Sequence, residues 1–560
     1  MQLPLLALSF LALLVVAYRL YGGWVARQFA LDDARATPAS ERNDGIDYVP
    51  TPRFYLFAQH FSAIAAAGPI AGPILACQVW GWGPCLLWIG LGVVLIGAVH
   101  DFSSLAASVR HGARSVAEIT REHLGSRAGR AMMAFIWIAL VYVIVAFADI
   151  TAASFTGVTE ELAGTQVQFN PGGAVAAASI MYLLMALILG LVQRYLNPPL
   201  WLVTIIFVPA TLALSWLGTK ISTWLILDIK TWGLLIIAYC FVASITPVWL
   251  LLQPRGYLGG FVLYLALALG VLGVFFGGYE IKQQMFKSWD LGTMTGAMFP
   301  FLFVTIACGA CSGFHGLVCS GTTSKQVARE SHCQAVGYGA MLAEGFVALI
   351  ALVTIMIVSS GEIGNKRPGT IYGEGIGRFM TLIVGQDNLK FAITFGAMAF
   401  STFVFDTLDV SARLGRYIVQ ELFNWRTRAS AALGTFLTLL LPAYFLWVSQ
   451  EGAYLKFWTL FGASNQLLAA LTLLAITFWL YQARRRVWFT LFPMLFVLAI
   501  TLWSLAKLTI ANFRAASGMD VAMMNGVAAA ALILLAIFLV VTALVKLREE
   551  RKGSLVPEIA

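Results

Sequence analysis

Apolar runs of about 18 residues or more recur along the whole chain, and a run of that length is sufficient for an α-helix to cross a bilayer. Of the 560 residues, 60% are hydrophobic and 11% are charged. A water-soluble chain of this length needs a far more highly charged surface. The sequence therefore predicts an all-α polytopic membrane protein that has the lipid bilayer as its environment.

The pattern of apolar runs predicts about 15 transmembrane helices and no independent soluble domain. The predicted spans are 3–22, 54–76, 84–107, 130–155, 172–193, 199–218, 231–252, 257–276, 297–320, 335–359, 390–410, 431–449, 457–481, 487–508 and 523–546. The glycine-rich stretch 360–389 is expected to be an external loop, either a flexible connector or a gate.

Basic residues cluster in alternate loops, among them Arg110, Arg255 and the run at 484–486. Lys and Arg are enriched in cytoplasmic loops, so the N-terminus is expected outside and the C-terminus in the cytoplasm. The net charge of +9 is explained by these orientation signals. No nucleic-acid partner is expected.

Two Gly-Pro pairs, Gly68-Pro69 and Gly72-Pro73, interrupt the span 54–76. Proline removes a backbone donor and clashes with the preceding turn, so the helix is expected to unwind at membrane depth. Broken helices of this kind form substrate sites in many transporters, although a simple proline kink is the alternative. The predicted substrate-binding residues are Gln59, His60, Ser62, Gly68, Pro69, Gly72, Ser244 and Thr246.

A second proline, Pro247, follows Ser244 and Thr246 and is expected to break the span 231–252. Five predicted spans begin at each broken helix, and because five is odd the second block must be inverted relative to the first. This layout predicts a five-plus-five inverted-repeat core of the LeuT type with extra helices. The predicted divisions are 1–53 (first helix and cytoplasmic loop), 54–230 (first repeat), 231–412 (inverted repeat) and 413–560 (accessory helices).

Ionisable side chains inside predicted spans are costly in lipid and are therefore functional candidates. Asp406 has no basic neighbour in sequence, whereas Asp409 and Arg413 lie one helical turn apart and can neutralise each other. His100 and Asp101 fit either a functional pair or an interfacial anchor. The predicted ion-coupling residues are Asp406, Asp409, Glu344, His100, Asp101, Ser312, Ser320, Thr322 and Thr323.

Cys308, Cys311, His315 and Cys319 fall on one face of an ideal helix. The end members of this row would be about 16 Å apart, so the row does not predict a metal site. Neighbouring glycines indicate local unwinding, and the nearby hydroxyls either line the transport path or pack against other helices. No cofactor is expected beyond a coupling ion, H+ or Na+.

Motifs from residue 53 to about 475 resemble the carbon starvation protein (CstA) family. They lie at 53–73, 97–102, 312–326, 406–417 and 461–466. The resemblance implies a transporter of the bacterial or archaeal inner membrane rather than an enzyme. It also implies a link to pyruvate uptake by proton symport and to peptide uptake during nutrient limitation.

The favoured function is secondary active import of a small, pyruvate-like carboxylate by ion symport, with H+ preferred. The free N–H groups after Pro69 would hold the carboxylate. Peptide or amino-acid uptake, with Na+ as a possible coupling ion, is the alternative. A membrane-embedded metal or redox protein, or a channel, is a different class of function. The six histidines are scattered along the sequence and do not indicate paired metal ligands. The sequence shows no P-loop, so ATP-driven transport is not expected. The sequence makes no prediction of oligomeric state.

Overall fold

A computed structural model describes residues 2–44, 47–157, 159–161, 168–293, 295–364, 366–425, 427–449 and 454–553. Helices α1 to α12 are Leu3–Ala17, Gly23–Phe29, Pro38–Glu41, Arg53–Ile64, Gly68–Trp80, Trp82–Gly92, Ala98–Arg110, Val116–Leu124, Ser126–Ser154, Pro171–Leu196, Leu200–Lys220 and Ile229–Ile245. Helices α13 to α23 are Leu252–Phe276, Met298–Thr305, Gly313–Gly321, Ala340–Met356, Ser360–Ile363, Pro368–Val384, Leu389–Leu422, Arg428–Val448, Tyr454–Gln482, Trp488–Ala515 and Val521–Gly553.

Short elements complete the described fold. The π-helical turns Tyr18–Gly22 and Val93–Gly97 join α1 to α2 and α6 to α7 into continuous helices, and the turn Gln334–Gly339 leads into α16. Two 3-10 turns span Thr323–Lys325 and Gln386–Asn388. Strands β1, Glu160–Glu161, and β2, Gln168–Phe169, pair antiparallel.

Twelve helices among the described residues are long and apolar enough to span a membrane, or thirteen when the bent pair α4–α5 counts as one span. The prediction of an all-α polytopic membrane protein is confirmed. The predicted number was about 15, and two segments account for the difference. Residues 231–252 contain the 17-residue helix α12, and residues 297–320 contain two short helices, α14 and α15.

The first broken helix is present where the Gly-Pro pairs predict one. Helices α4 and α5 are bent by 45° at Ala65 to Ala67. Pro69 lies in the first turn of α5. Backbone N–H groups in a first turn have no carbonyl partner within the helix, so the missing N–H of proline costs no helical hydrogen bond there. Pro73 lies inside α5, so the second Gly-Pro pair does not unwind the chain as predicted.

The prediction of a second broken helix at Pro247 is wrong. Helix α12 ends at Ile245 and α13 begins at Leu252, so the proline ends a helix instead of interrupting one. The residue before a proline is disfavoured in the helical conformation, which explains why α12 stops there. The second broken helix is α14–α15, with residues 306–312 between its halves, where the glycines indicated unwinding.

The segment 360–389 is largely helical rather than a loop. Helix α18 packs against α19, and its glycines make the contact close: a Cβ on Gly373 would lie 2.8 Å from the Ala397 Cβ, and one on Gly377 would lie 2.8 Å from the Ile393 amide nitrogen. The glycines therefore allow helix packing instead of providing a flexible connector.

Burial distinguishes central from peripheral helices. Helices α9, α19 and α21 are buried along most of their length, whereas α11, α22 and α23 expose much of theirs. Exposed apolar side chains such as Ile205 of α11 and Leu534 of α23 lie on this periphery. Apolar surface of this kind is compatible with a lipid environment. The two broken helices lie inside the bundle, where α5 packs on α16 and α15 packs on α7 and α21.

Candidate transport site

The two broken helices cross at their breaks. Gly68 faces the side chain of Cys308, and a Cβ on Gly72 would lie 2.7 Å from the Thr305 carbonyl oxygen. A Cβ on Gly309 would lie 3.4 Å from the Pro69 Cα. Only residues without a side chain fit at such approaches, so Gly68 and Gly72 are explained by packing between the two breaks.

Side chains satisfy backbone groups at the second break. Trp88 Nε1 donates to the Ile306 carbonyl and Trp458 Nε1 to the Thr305 carbonyl, both at 3.1 Å. Asn465 Oδ1 accepts from the Phe314 amide at 2.9 Å. Buried backbone groups need such partners, so these side chains stabilise the irregular segment in the interior.

A buried chain of acidic and histidine side chains lies beside this crossing and links α7, α15 and α16. Asp101 Oδ1 is 2.7 Å from His100 Nδ1, and Asp101 Oδ2 is 2.8 Å from His315 Nδ1. His315 Nε2 is 3.2 Å from Glu344 Oε2. All four side chains are at most 1% exposed. We call this set the acid–histidine chain.

Proton positions in the acid–histidine chain follow from its geometry. An ionised Asp101 can only accept, so both facing Nδ1 atoms must carry hydrogen. His315 Nε2 is then the ring nitrogen that faces Glu344. This contact has ion-pair length without hydrogen-bond geometry, so neither Glu344 oxygen has a hydrogen-bond partner among the described residues.

His60 connects α4 to the acid–histidine chain. Its Nδ1 lies 2.9 Å from Thr323 Oγ1, and its Nε2 lies 3.8 Å from Cys319 Sγ. Cys319 Sγ is in turn 3.5 Å from the Asp101 carbonyl oxygen. The structure thus brings His60 and Thr323, predicted for substrate and ion respectively, close to Asp101.

A second polar cluster centres on Arg255, which is fully buried in α13. Arg255 Nη2 lies 2.6 Å from Asp406 Oδ1 and 3.0 Å from Asp409 Oδ2. Tyr239 OH donates to Asp409 Oδ2 at 2.8 Å. We call Arg255, Asp406, Asp409 and Tyr239 the arginine–aspartate cluster. It contains one more carboxylate than cation, so full ionisation leaves an unbalanced negative charge.

One expectation about this region is wrong. Arg255 was expected in a cytoplasmic loop, because its span was predicted to begin at 257, but it lies inside α13. Arg413, which lies one helical turn after Asp409 and could neutralise it, donates from its Nη2 to the carbonyls of Ala243 and Thr246 at 2.7 and 2.8 Å. Those carbonyls belong to the C-terminal end of α12, a favourable place for a cation.

Accessibility differs within the arginine–aspartate cluster. The Asp406 side chain is 18% exposed, whereas that of Asp409 is 2% exposed. None of the three Arg255 guanidinium nitrogens has a hydrogen-bond partner among the described residues, so the Nη2 contacts with the two aspartates are ion pairs, and Asp409 Oδ1 also has no hydrogen-bond partner there. Asp406 is therefore the more exposed of the two carboxylates.

Helices α4 and α19 approach α13 at its adjacent glycines. A Cβ on Gly259 would lie 2.9 Å from Asp406 Oδ2, and a Cβ on Gly260 would lie 3.4 Å from Ser62 Oγ. Ser62 and His60 are two residues apart on α4, so α4 lies between the arginine–aspartate cluster and the acid–histidine chain.

The other predicted residues are less central. Gln59 and Thr322 are exposed. Hydroxyl groups used in helix packing or in bonds to their own helix are those of Ser244, Thr246, Ser312, Ser320 and Thr322. The sequence did not indicate the positions of Arg255 and Tyr239 or the contacts of His315 with Asp101 and Glu344. An arginine directly after Pro254, at the start of an apolar run, was the available signal for Arg255.

Buried ionisable groups beside two crossed broken helices, within a bundle of membrane-spanning helices, define a polytopic membrane transporter. The model of the family described as carbon starvation protein CstA matches residues 3–368 and 362–504. The chain belongs to this family.

Curated relatives agree with that membership. The peptide transporter CstA of Campylobacter jejuni is 33% identical over 574 residues, which cover 89% of this chain and 79% of the relative. The pyruvate/proton symporter BtsT of Escherichia coli is 32% identical over 586 residues, covering 88% and 79%. The peptide transporter CstA of Escherichia coli is 32% identical over 567 residues, covering 87% and 78%.

Among solved structures, a manganese transporter of Eremococcus coleocola aligns with 90% of this chain and 99% of its own. The TM-score is 0.41 and the sequence identity 13%.

Proposed function

We propose that the protein imports a small, pyruvate-like carboxylate by proton symport. The observation that carries this proposal is the arginine–aspartate cluster: a buried Arg255 paired with two carboxylates, one of which, Asp406, is partly exposed. One cation shared by two anions is an arrangement in which a single added proton balances the charge.

Proton binding and carboxylate binding are coupled in this proposal through Arg255. When Asp406 is ionised, it occupies the Arg255 guanidinium. A proton on Asp406 weakens that pair and removes one negative charge, so a solute carboxylate can join the Arg255–Asp409 pair without making the cluster more negative than it was before. The carboxylate of the solute then takes the place of Asp406, because a guanidinium binds carboxylates through several N–H donors.

The acid–histidine chain is the second proton-carrying element. His315 Nε2 and Glu344 face each other without a hydrogen bond, at a crossing of broken helices whose halves can move relative to each other. We propose that sharing of a proton between His315 and Glu344 depends on the position of α15 relative to α16. The roles of His60, His100, Asp101 and Thr323 rest on their contacts with this pair.

Peptide uptake is the alternative, and relatives with either name are equally similar to this chain. A peptide also ends in a carboxylate, so Arg255 could bind it in the same way. We further propose that the protein resides in a bacterial or archaeal inner membrane, with its N-terminus outside and its C-terminus in the cytoplasm, on the distribution of Lys and Arg. Na+ in place of H+ is the alternative coupling ion.

The test is uptake of radiolabelled pyruvate into proteoliposomes under an inward proton gradient, an inward Na+ gradient, or neither. The proposal expects uptake above protein-free liposomes under the proton gradient alone, and no competition by a tripeptide. Uptake driven only by Na+ would contradict the proposal that H+ is the coupling ion. Tripeptide uptake without pyruvate uptake would contradict the proposal that the substrate is a pyruvate-like carboxylate.

Asp406→Asn and Asp149→Asn form a matched pair for that assay. Both aspartates lie in membrane-spanning helices, but Asp149 belongs to α9, outside the arginine–aspartate cluster and the acid–histidine chain. Gradient-driven uptake should be lost in Asp406→Asn and retained in Asp149→Asn. Equal uptake by the two variants would contradict the role of Asp406.

A further inference from the structure

Two histidines face each other at the end of the bundle that holds the loop between α7 and α8. His111 follows α7 and His123 lies in α8, and their Nε2 atoms are 2.8 Å apart. Glu122 offers a carboxylate oxygen to the same point, so that one ligand atom from each of the three residues lies within 4.8 Å of the others.

The hydrogen bonds of the Nδ1 atoms determine the tautomer of both histidines. His111 Nδ1 lies 2.7 Å from the Ala107 carbonyl oxygen, which can only accept. His123 Nδ1 lies 2.5 Å from Gln482 Oε1. The Gln482 amide nitrogen is bonded to Glu550, another acceptor, so the assignment of oxygen toward His123 is consistent with the whole network.

Both Nδ1 atoms therefore carry hydrogen, and in the neutral rings both Nε2 atoms present lone pairs to each other. Two lone pairs 2.8 Å apart repel unless a cation lies between them. That cation is either a shared proton or a metal ion. A carboxylate oxygen of Glu122 within 4.8 Å of both histidine ligand atoms, together with the two lone pairs, favours a divalent ion.

We propose that His111, His123 and Glu122 form a binding site for a divalent transition-metal ion of the zinc type. Two imidazoles and one carboxylate are a frequent ligand set for Zn2+ and leave one tetrahedral position for a further ligand. Two imidazole ligands of tetrahedral Zn2+ are about 3.4 Å apart, so the rings need to separate by roughly half an ångström.

The contacts around the ligands are those expected of an outer shell. Metal-bound histidines usually donate their other N–H to a carbonyl or amide oxygen, as His111 does to Ala107 and His123 to Gln482. Arg114 Nη1 lies 2.5 Å from Glu122 Oε2 and orients that carboxylate, although its positive charge also opposes a cation. The Trp479 ring packs edge-on against His111, with centroids 5.1 Å apart.

A bound ion would connect several helices. Its ligands come from the end of α7 and from α8, and their outer partners come from α21 and, through Gln482, from α23. The sequence did not indicate this site, because the two histidines are twelve positions apart across a turn and neither lies in a recognised ligand spacing. The site is independent of the proposed transport activity.

The test uses the full-length, untagged protein in detergent, treated with EDTA and titrated with Zn2+ by isothermal calorimetry. The wild type should bind one equivalent, and His111→Gln and His123→Gln should each bind at least about 10-fold more weakly. His332→Gln is the matched control and should bind as the wild type does. Glu122→Gln, which leaves both imidazoles in place, should show an intermediate loss.

Folding is monitored in each variant by gel-filtration elution and thermal unfolding, so that lost binding is compared only between folded proteins. Electron paramagnetic resonance of bound Cu2+ provides a second readout: coupling to two imidazole nitrogens in the wild type and to one in His123→Gln. If the wild type showed no saturable Zn2+ binding, a shared proton would be the only explanation left for the close contact of the two Nε2 atoms, and the proposal would be overturned. Equal affinity in the two histidine variants and the wild type would also overturn it.

Discussion

Arg255 Nη2 lies 2.6 Å from Asp406 Oδ1 inside the helical bundle, and the same nitrogen lies 3.0 Å from Asp409 Oδ2. Removing one partner of a buried ion pair leaves a charge without compensation, which is far more costly than losing a surface pair. Arg255 has a second carboxylate partner, Asp409, so the loss of the Asp406 charge costs less than the loss of a single partner would. Neutralising Asp406 leaves a complete Arg255–Asp409 pair, so this position can titrate without destabilising the interior.

Asp406→Asn is predicted to abolish proton-driven accumulation of solute while preserving exchange. The asparagine mimics a permanently protonated aspartate, so Arg255 is always available to an anion but no proton can be released. Uptake under a proton gradient should fall to the level of protein-free liposomes, whereas counterflow of labelled solute against internal unlabelled solute should continue. Loss of both activities in a folded Asp406→Asn protein would contradict this assignment.

Asp409→Asn should behave differently from Asp406→Asn. Asp409 is 2% exposed and accepts from Tyr239 as well as pairing with Arg255. Its neutralisation leaves Arg255 paired with Asp406 but removes the charged acceptor of the Tyr239 hydrogen bond, so we expect the free energy of unfolding to fall by about 2 kcal/mol. Thermal unfolding in detergent of the two variants side by side measures the difference, and equal stability would contradict it.

Gly72→Ala tests the crossing of the two broken helices. The added Cβ would lie 2.7 Å from the Thr305 carbonyl oxygen, a backbone atom that cannot move aside without displacing α14. Overpacking of this kind costs about 1–3 kcal/mol, so the unfolding temperature should fall. Gly256→Ala is the control: its Cβ would meet nothing within 4 Å, and alanine favours the helix. A stable Gly72→Ala protein would refute the close approach.

Glu330 gives a pH-dependent prediction outside the membrane-spanning segments. It accepts from Arg110 Nη2 at 3.0 Å and from the Asp32 amide at 2.9 Å, and Arg35 Nη1 lies 3.1 Å away. Burial alone would raise the pKa of Glu330, but the hydrogen bonds from Arg110 and Asp32 and the charges of Arg110 and Arg35 hold the pKa below its ordinary value.

A lowered pKa in the folded state means that the Glu330 carboxylate stabilises the fold above the ordinary pKa of glutamate, about 4.3, and that this contribution disappears as the pH falls through the folded-state value. Glu330→Gln should therefore unfold at a lower temperature than the wild type at pH 7, by the equivalent of about 2 kcal/mol. The gap should narrow in acid. Most of this narrowing should occur below the ordinary pKa of about 4.3, so a gap that is as large at about pH 3 as at pH 7 would rule out an ionic contribution.

The sequence predicts the helical membrane class well, because length and apolar composition alone determine whether a segment can cross a bilayer. It also locates the break before Gly68, since proline has a direct local effect on the helix. The same local rule fails at Pro247, where the chain uses proline to end α12. The glycines around 309–316 indicated the break in α14–α15, but its close contact with Gly72 of α5 is a long-range relationship that spacing does not reveal.

The candidate site residues also divide into those that the sequence indicates and those that it does not. His60, Asp101, Glu344 and Asp406 were identifiable, because ionisable groups within apolar spans are rare and costly. Their partners were not, because His315 was interpreted within a single helical face and Arg255 within a loop. Pairing is decided by how α13, α15 and α19 pack, which cannot be inferred from neighbours in sequence.

Proton movement coupled to the solute is the most direct test of the arginine–aspartate cluster. Proteoliposomes loaded with a pH-sensitive dye receive pyruvate in the absence of any imposed gradient, with protein-free liposomes to measure diffusion of the free acid. The account predicts that the lumen acidifies above this background with the wild type and with Asp149→Asn, but not with Asp406→Asn. Pyruvate uptake without acidification, or equal acidification by Asp406→Asn, would contradict it.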